Sequence, residues 1–356
     1  MSITAYLKEI GRGKQGARSL DAAQAQDLMS QIFEGRVSDV QLGAFAIAMR
    51  IKGESAAELA GFLAATQAHI EPAIAEAIHS SARSVVWLPS YNGARKLPNL
   101  TPLLAGLLAR QGLSVIVHGL ATDAQRVTSH AVFEALGWPI VAAPSAAAAA
   151  TMGHAWAMQC PVFITTDALC PPLARLLAVR KEVGLRNSGH TIAKLLALPQ
   201  PQAHLPHLQQ AAPSLPHLQH AAPSLPHLQH AQPSLRVVNH THPEYAVSLA
   251  QFLGESKADA LLLRGTEGEP VADARRTPRM EAFVAGQRID ALSVPAQGGV
   301  LARVPQLPAA IDAAATAAFI DATLAGSLPL PTPLQTQVSA LAAMAQHIHQ
   351  RLEHAA

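Results

Sequence analysis

Aromatic side chains are scarce: Phe, Tyr and Trp together supply 4% of the 356 residues. Stacking of successive bases needs a row of such rings, so any affinity for nucleic acid has to come from charge. Cysteine is scarcer still. Cys160 and Cys170 stand ten residues apart without a CxxC spacing, which argues against a disulfide framework or a thiolate zinc site and reads as two core thiols in a reducing compartment. Long apolar runs are missing as well. The alanine run at 146–150 is too short and too weakly apolar to span a bilayer. Lys8, Glu9, Arg12 and Lys14 leave no apolar signal core at the N-terminus. No membrane partner is expected, and the cytoplasm is the expected location. Charge is thin too, at 14% charged residues and a net charge of +2. So mild a balance speaks for nucleic acid only if the basic residues cluster.

What the chain does have is 49% apolar residues, enough for a large core. The first part reads as helices. Asp21 with Gln24, Ser38 with Gln41 and Ser55 with Glu58 have the spacing of capping boxes, each followed by an apolar stripe such as Leu42, Phe45 and Met49. Beyond about residue 80 the period changes. Short β-rich runs at 84–88, 114–118, 139–143, 161–166, 235–241 and 258–264 alternate with helical stretches, which predicts an α/β domain with a mostly parallel sheet. The expected organisation is a helical domain over 1–78 and an α/β domain over 79–356. A Pro/His-rich insertion at 200–234 interrupts the second. Its core, 205–234, is three tandem copies of one decamer. Two prolines in every ten residues rule out a long helix, and the period is too short for helical solenoids, so the insertion is expected at the surface. Its recurring histidines are of a kind that can bind metal, but tandem duplication multiplies whatever residue a repeat contains, and the His240 and His242 pair lacks the further spaced ligands of a metal site. Neither metal nor cofactor is expected.

The strings GRVSD at 35–39, QLGAF at 41–45, KGES at 52–55 and ELAG at 58–61 resemble the helical domain of anthranilate phosphoribosyltransferases. Pyrimidine nucleoside phosphorylases, in the same glycosyltransferase superfamily, share that architecture. The likeness continues through VHG at 117–119, FEALG at 133–137 and AVRKEVG at 178–184. It implies a small helical domain beside a larger α/β domain, a cleft between them, and dimerisation through the helices.

The family's chemistry is not carried over with its fold. Where the enzymes place a glycine-rich GTGGD loop against pyrophosphate, this chain has PSYNGARK at 89–96, in which Asn92 and Gly93 are what remains and Pro89 and Tyr91 are expected to fill the phosphate space. The family's KHGNR is reduced to His118 and Gly119 with flanking apolar residues. Its adjacent Asp-Glu pair for magnesium is replaced by Glu267 and Glu269, which are not adjacent. Arg180 alone stands where the enzymes use an arginine for the anthranilate carboxylate.

Basic residues stand in place of that chemistry. Arg95 and Lys96 precede a helix N-terminus, and residues 171–199 hold Arg175, Arg180, Lys181, Arg186 and Lys194 against the single acid Glu182. A charge cluster is by default a solvated face. However, the strings PSYNGARK, LRNSGHT and RGTEGEPVAD are also similar to the YbiB branch of the superfamily, whose members bind nucleic acid. That resemblance implies a homodimer with basic grooves and little sequence preference. Arg95, Lys96, Arg175, Arg180, Lys181, Arg186 and Lys194 are then the expected contacts, with single-stranded DNA as the expected ligand and RNA as a second. Two other readings stand beside it. One is a transferase on an unidentified substrate using His118 and Arg180. The other is a protein-interaction module built on the decamers.

Overall fold

The computed structural model describes residues 2–13, 15–198 and 233–355. Five helices come first: α1 (Ile3–Ile10), α2 (Ala22–Phe33), α3 (Asp39–Lys52), α4 (Ala56–Ala68) and α5 (Pro72–His79). All three expected capping boxes form, each with the side chain on the backbone N–H and the glutamine or glutamate reaching back. These boxes satisfy amide donors that a helix start otherwise leaves unpaired. Helices α2 and α4 cross closely at Gly61, where a Cβ would lie 2.2 Å from the Ala22 carbonyl oxygen. Glu58 is buried beneath α4, and Lys52 Nζ neutralises it at 2.6 Å while the Leu20 amide donates to it at 3.0 Å.

The α/β part alternates as expected: β1 (Val85–Ser90), α6 (Thr101–Arg110), β2 (Ser114–Gly119), α7 (Ser129–Leu136), β3 (Ile140–Val141), α8 (Ala147–Ala157) and β4 (Val162–Thr165). Four short helices follow, α9 (Thr166–Leu169), α10 (Pro171–Ala178), α11 (Arg180–Val183) and α12 (Gly189–Leu195). Then come β5 (Ser234–His240), α13 (Pro243–Glu255), β6 (Ala260–Arg264), β7 (Met280–Val284), β8 (Gln287–Arg288), α14 (Ala313–Leu324) and α15 (Thr332–Ala355). One sheet runs in the order β3-β4-β2-β1-β5-β6-β7-β8. It is parallel from β3 to β6 and antiparallel at β7 and β8. The expectation of a mostly parallel sheet holds, and the antiparallel hairpin is an addition to it. Its turn is Ala285-Gly286, both at positive φ, a tight turn of the kind that joins neighbouring antiparallel strands.

Side chains alternate across the sheet and divide the core in two. Trp87, Ile116, Ile164, Val238 and Leu262 face a cluster continuous with Phe45, Phe62 and the other helical-domain residues. Val86, Leu88, Val115, Val117, Leu261 and Leu263 face a second cluster with α6, α14 and α15. The segment after β4 returns to the first helices: the Glu71 amide donates to the Leu169 carbonyl at 3.0 Å and Gln67 Nε2 to the Ala197 carbonyl at 2.6 Å. The helical layer is therefore built from both ends of this stretch. All but the last two residues of the decamers lie outside the described residues, and β5 opens on Ser234, the last residue of the third copy. Among the described residues, no helix is long and apolar enough to cross a membrane.

Candidate functional site

Asn92, Gly93, Arg95 and Lys96 lie on the loop after β1, His118 and Gly119 close β2, and Glu267 and Glu269 lie on the loop after β6, all at the carboxyl ends of their strands. From β1 the chain crosses to β2 on one side, while β5 and β6 lie on the other. A crevice opens at such a switch in strand order, outside the carboxyl ends of the strands.

The loop after β1 presents two rows of backbone N–H groups, and both rows are already occupied by carboxylates of the same chain. Glu269, fully buried, accepts from the Asn92 amide at 3.0 Å, the Gly93 amide at 2.7 Å, Thr101 Oγ1 at 3.1 Å and the Ser90 hydroxyl. Burial pushes its pKa up, against these four donors. Glu267 accepts from the amides of Arg95 at 3.0 Å, Lys96 at 3.0 Å and Leu97 at 3.2 Å. Partial burial works against its charge, but the three amides and Arg126 outweigh it and hold the pKa down. The turn that delivers both glutamates is tight. Glu267 sits at φ +53° and Gly268 at φ +88°, and a Cβ on Gly268 would lie 1.9 Å from Asn92 Nδ2.

This corrects the expectation that Pro89 and Tyr91 fill the phosphate space. Pro89 belongs to β1. The Tyr91 ring meets the His118 ring edge-on at 5.4 Å, with its hydroxyl 3.0 Å from His118 Nδ1. His118 is wholly buried, also edge-on to Trp87, and its Nε2 has no partner among the described residues. Burial pushes its pKa down to about 3, so it is a neutral core histidine near pH 7. Gly119 is required for packing, because a Cβ there would lie 1.8 Å from the Ser90 carbonyl oxygen.

Cations converge in front of this filled loop. Arg186 donates from Nη2 to Asn92 Oδ1 at 2.7 Å. Its pKa is lowered by burial and by the like charges of Arg180, Arg126 and Arg50. Arg126 itself donates to the Gly93 carbonyl at 3.1 Å. His190 is pushed down to about 4 by burial and by Arg186, Arg180 and Lys194. Lys194 Nζ donates to Asn239 Oδ1 at 3.3 Å and makes no ion pair among the described residues. Burial and Arg186 bring its pKa down to about 8, against the pull of Glu269. Among the described residues Arg180 likewise forms no ion pair, not even with its neighbour Glu182.

Of the residues expected from the sequence, Arg180, Arg186 and Lys194 come together. The exposed Arg95 and Lys96 project from the loop whose amides hold Glu267. Lys181 is exposed on α11 beside Arg180. Arg175 is directed elsewhere, donating to the Phe33 carbonyl at the end of α2 at 3.0 Å. Arg50, in the last turn of α3 with Lys52, and Arg126, after β2, join the cluster without any local signal, since one or two basic residues in a segment do not make a run. The arginines between β6 and β7 are largely neutralised. Arg275 and Arg276 pair with Asp273 at 2.8 and 3.6 Å, and Arg279 with Glu281 at 2.9 Å.

Comparison with known proteins agrees with this architecture. Residues 4–70 match the helical bundle domain of a glycosyl transferase family. A protein of Escherichia coli K12, the uncharacterized protein YbiB, is 37% identical over 340 residues, covering 95% of this chain and 93% of that one. The chain belongs to the YbiB family. More distant relatives place that family in the anthranilate phosphoribosyltransferase superfamily. The anthranilate phosphoribosyltransferase of Persephonella marina is 28% identical over 197 residues, about half of each chain. The crystal structure of the Thermus thermophilus enzyme superposes with a TM-score of 0.61 at 18% identity, covering 98% of this chain and 89% of that one. The Saccharomyces cerevisiae enzyme in complex with PRPP and Mg superposes with a TM-score of 0.60 at 12% identity, over 97% and 89% of the two chains. The fold is shared at a level where sequence identity no longer speaks to chemistry. In this YbiB-family chain the loop after β1 holds its own glutamates.

Proposed function

We propose that this protein binds nucleic acid through the cleft at the carboxyl ends of β1 and β2, with little sequence preference, on a transferase scaffold that no longer handles phosphoribosyl diphosphate. The observation that carries the reading is the convergence of Arg50, Arg126, Arg180, Arg186 and Lys194, with no ion-pair partner for Arg186 or Lys194 among the described residues. Like charges held together are costly unless an anion is to be bound there. A polyanion meets that requirement, and Arg95, Lys96 and Lys181 extend the positive surface along the rim. The filled loop supports the same reading. Its amides, the natural cradle for a small phosphate, already carry Glu267 and Glu269, so phosphate contacts fall to the long side chains. Few rings are available for stacking, which favours backbone contacts and hence indifference to sequence. Single-stranded DNA is the first ligand to try and RNA the second, with no cofactor required.

The same reading makes the protein a cytoplasmic homodimer. Helix α3 exposes Val40 (83%) and Ile51 (64%) beside an apolar groove of about 350 Å³ lined by Leu7, Ile10, Ala44, Ile47 and Ala48. Exposed apolar surface of this kind is usually covered by a partner.

The test is a salt series. Affinity for unrelated single-stranded oligonucleotides is expected to fall with salt at roughly 0.7 log units per phosphate contact per log unit of salt. Arg186→Glu and Arg180→Ala are expected to weaken all sequences alike and to shrink the slope by about one contact each. Binding and slope identical to wild type in both variants would sink the reading.

A further inference from the structure

Among the described residues, Lys194 brings a primary amine into the converging cations of the cleft. It stands on α12, partly buried, with its ammonium on Asn239 Oδ1 at 3.3 Å and no carboxylate paired to it among the described residues. The charged and titratable groups around it come from several elements. Arg186 and His190 lie in its own segment, Glu269 on the loop after β6, and His240 at the end of β5. Only Glu269 favours the charged amine, and that carboxylate is already engaged by the loop after β1 and two hydroxyls. Burial and Arg186 therefore bring the pKa down to about 8, so that a much larger fraction of the amine is unprotonated near neutral pH than for an ordinary lysine. A neutral lysine beside a phosphate-binding surface is a nucleophile, as in lysines that form Schiff bases with carbonyl substrates.

Nucleic acid offers one common electrophile that such an amine can reach from a backbone-binding cleft. Where a base has been lost, the deoxyribose opens to an aldehyde at C1′, and no stacked base blocks the approach. We propose that Lys194 condenses with the C1′ aldehyde of an abasic site in DNA held in this cleft. The Nζ lone pair adds to the carbonyl carbon, forming a C–N bond and a carbinolamine. The amine loses its proton, the carbinolamine hydroxyl leaves as water, and a C1′=Nζ double bond remains. The balance is one aldehyde and one amine to one imine and one water, with no oxidant or reductant. Arg180 and Arg186 hold the flanking phosphates. This assignment rests on the nucleic-acid reading above.

The experiment separates the two. Full-length protein is incubated with a single-stranded oligonucleotide carrying one abasic site, or with the same strand intact, and borohydride is added to reduce any imine to a stable amine. Binding of the intact strand is measured in parallel. Wild type is expected to give a covalent adduct with the abasic strand alone, mapped by peptide mass to Lys194. Adduct formation should rise as pH passes through about 8. Lys194→Met is expected to lose at least ten-fold in adduct at strand concentrations that saturate its own binding, while keeping its melting temperature and giving up about one phosphate contact of affinity. Lys194→Arg checks that charge without nucleophilicity gives no adduct. Intact-strand binding with no adduct, or equal adduct in Lys194→Met, overturns the assignment and leaves the binding reading standing. Absence of binding to either strand overturns both.

Discussion

His118 shows how a residue kept from a catalytic motif becomes a packing element. It is enclosed by Trp87 and Tyr91, with one ring nitrogen unpartnered among the described residues, and its pKa falls from 6.5 to about 3. The sign of the linkage follows. In the unfolded chain the histidine takes a proton as pH drops through 6.5, while the folded chain refuses it until about 3, so stability is lost across that window. The slope from this group approaches ~1.4 kcal/mol per pH unit. Replacing it by His118→Gln is expected to flatten the acid limb between pH 6.5 and about 4 by close to one proton, read as denaturation midpoints at a series of pH values. An unchanged slope would place the acid sensitivity in other groups, such as His190.

At the scale of elements, the loop after β1 and the turn after β6 act as one unit. Seven hydrogen-bond donors of the first segment and the start of α6 converge on two carboxylates of the second. Removing Glu267 leaves three amides at the edge of solvent, at a cost of ~1–2 kcal/mol, and reopens an anion cradle. For Glu267→Ala we expect inorganic phosphate to raise the melting temperature, whereas wild type should show no phosphate-specific shift beyond that of a control salt at equal ionic strength. Equal responses in the two proteins would mean that the loop cannot hold an external anion even when empty. Arg126 and Arg186 brace the same loop through the Gly93 carbonyl and Asn92 Oδ1, so part of the basic cluster is also structural. Charge reversal at Arg186 is therefore best read together with a folding check.

For the whole molecule, the helical bundle and one face of the sheet share a single core. The cleft is thus framed by elements from residues 39–52, 91–100, 120–128 and 180–195 that pack as one body. The decamer insertion enters this body between α12 and β5, at the edge of the cleft-bearing segment. Deleting 205–232 is expected to leave both melting temperature and oligonucleotide affinity within experimental scatter. Proline-punctuated repeats contribute little to a core, and loop-closure cost changes slowly with length. A deletion that unfolds the protein or abolishes binding would give the repeats a structural or functional role.

Local periodicity and capping chemistry were enough to determine the helices at 22–68 and the alternation of strands and helices, because each depends on residues a few positions apart, whereas the loss of the family's phosphate loop was legible only through the resemblance to that family. The run at 171–199 was likewise legible as basic. The sequence alone did not disclose that Glu267 and Glu269 would dock on amides some 170 residues earlier, since the pairing depends on β1 and β6 lying in one sheet on either side of β5. Nor did it disclose that Arg50 and Arg126 join Arg180 and Arg186, or that Arg175 turns away to α2. Electrostatic grouping is a property of distance in space. Charges in separate segments carry no shared sequence signature until the sheet and the returning helices bring them to one cleft.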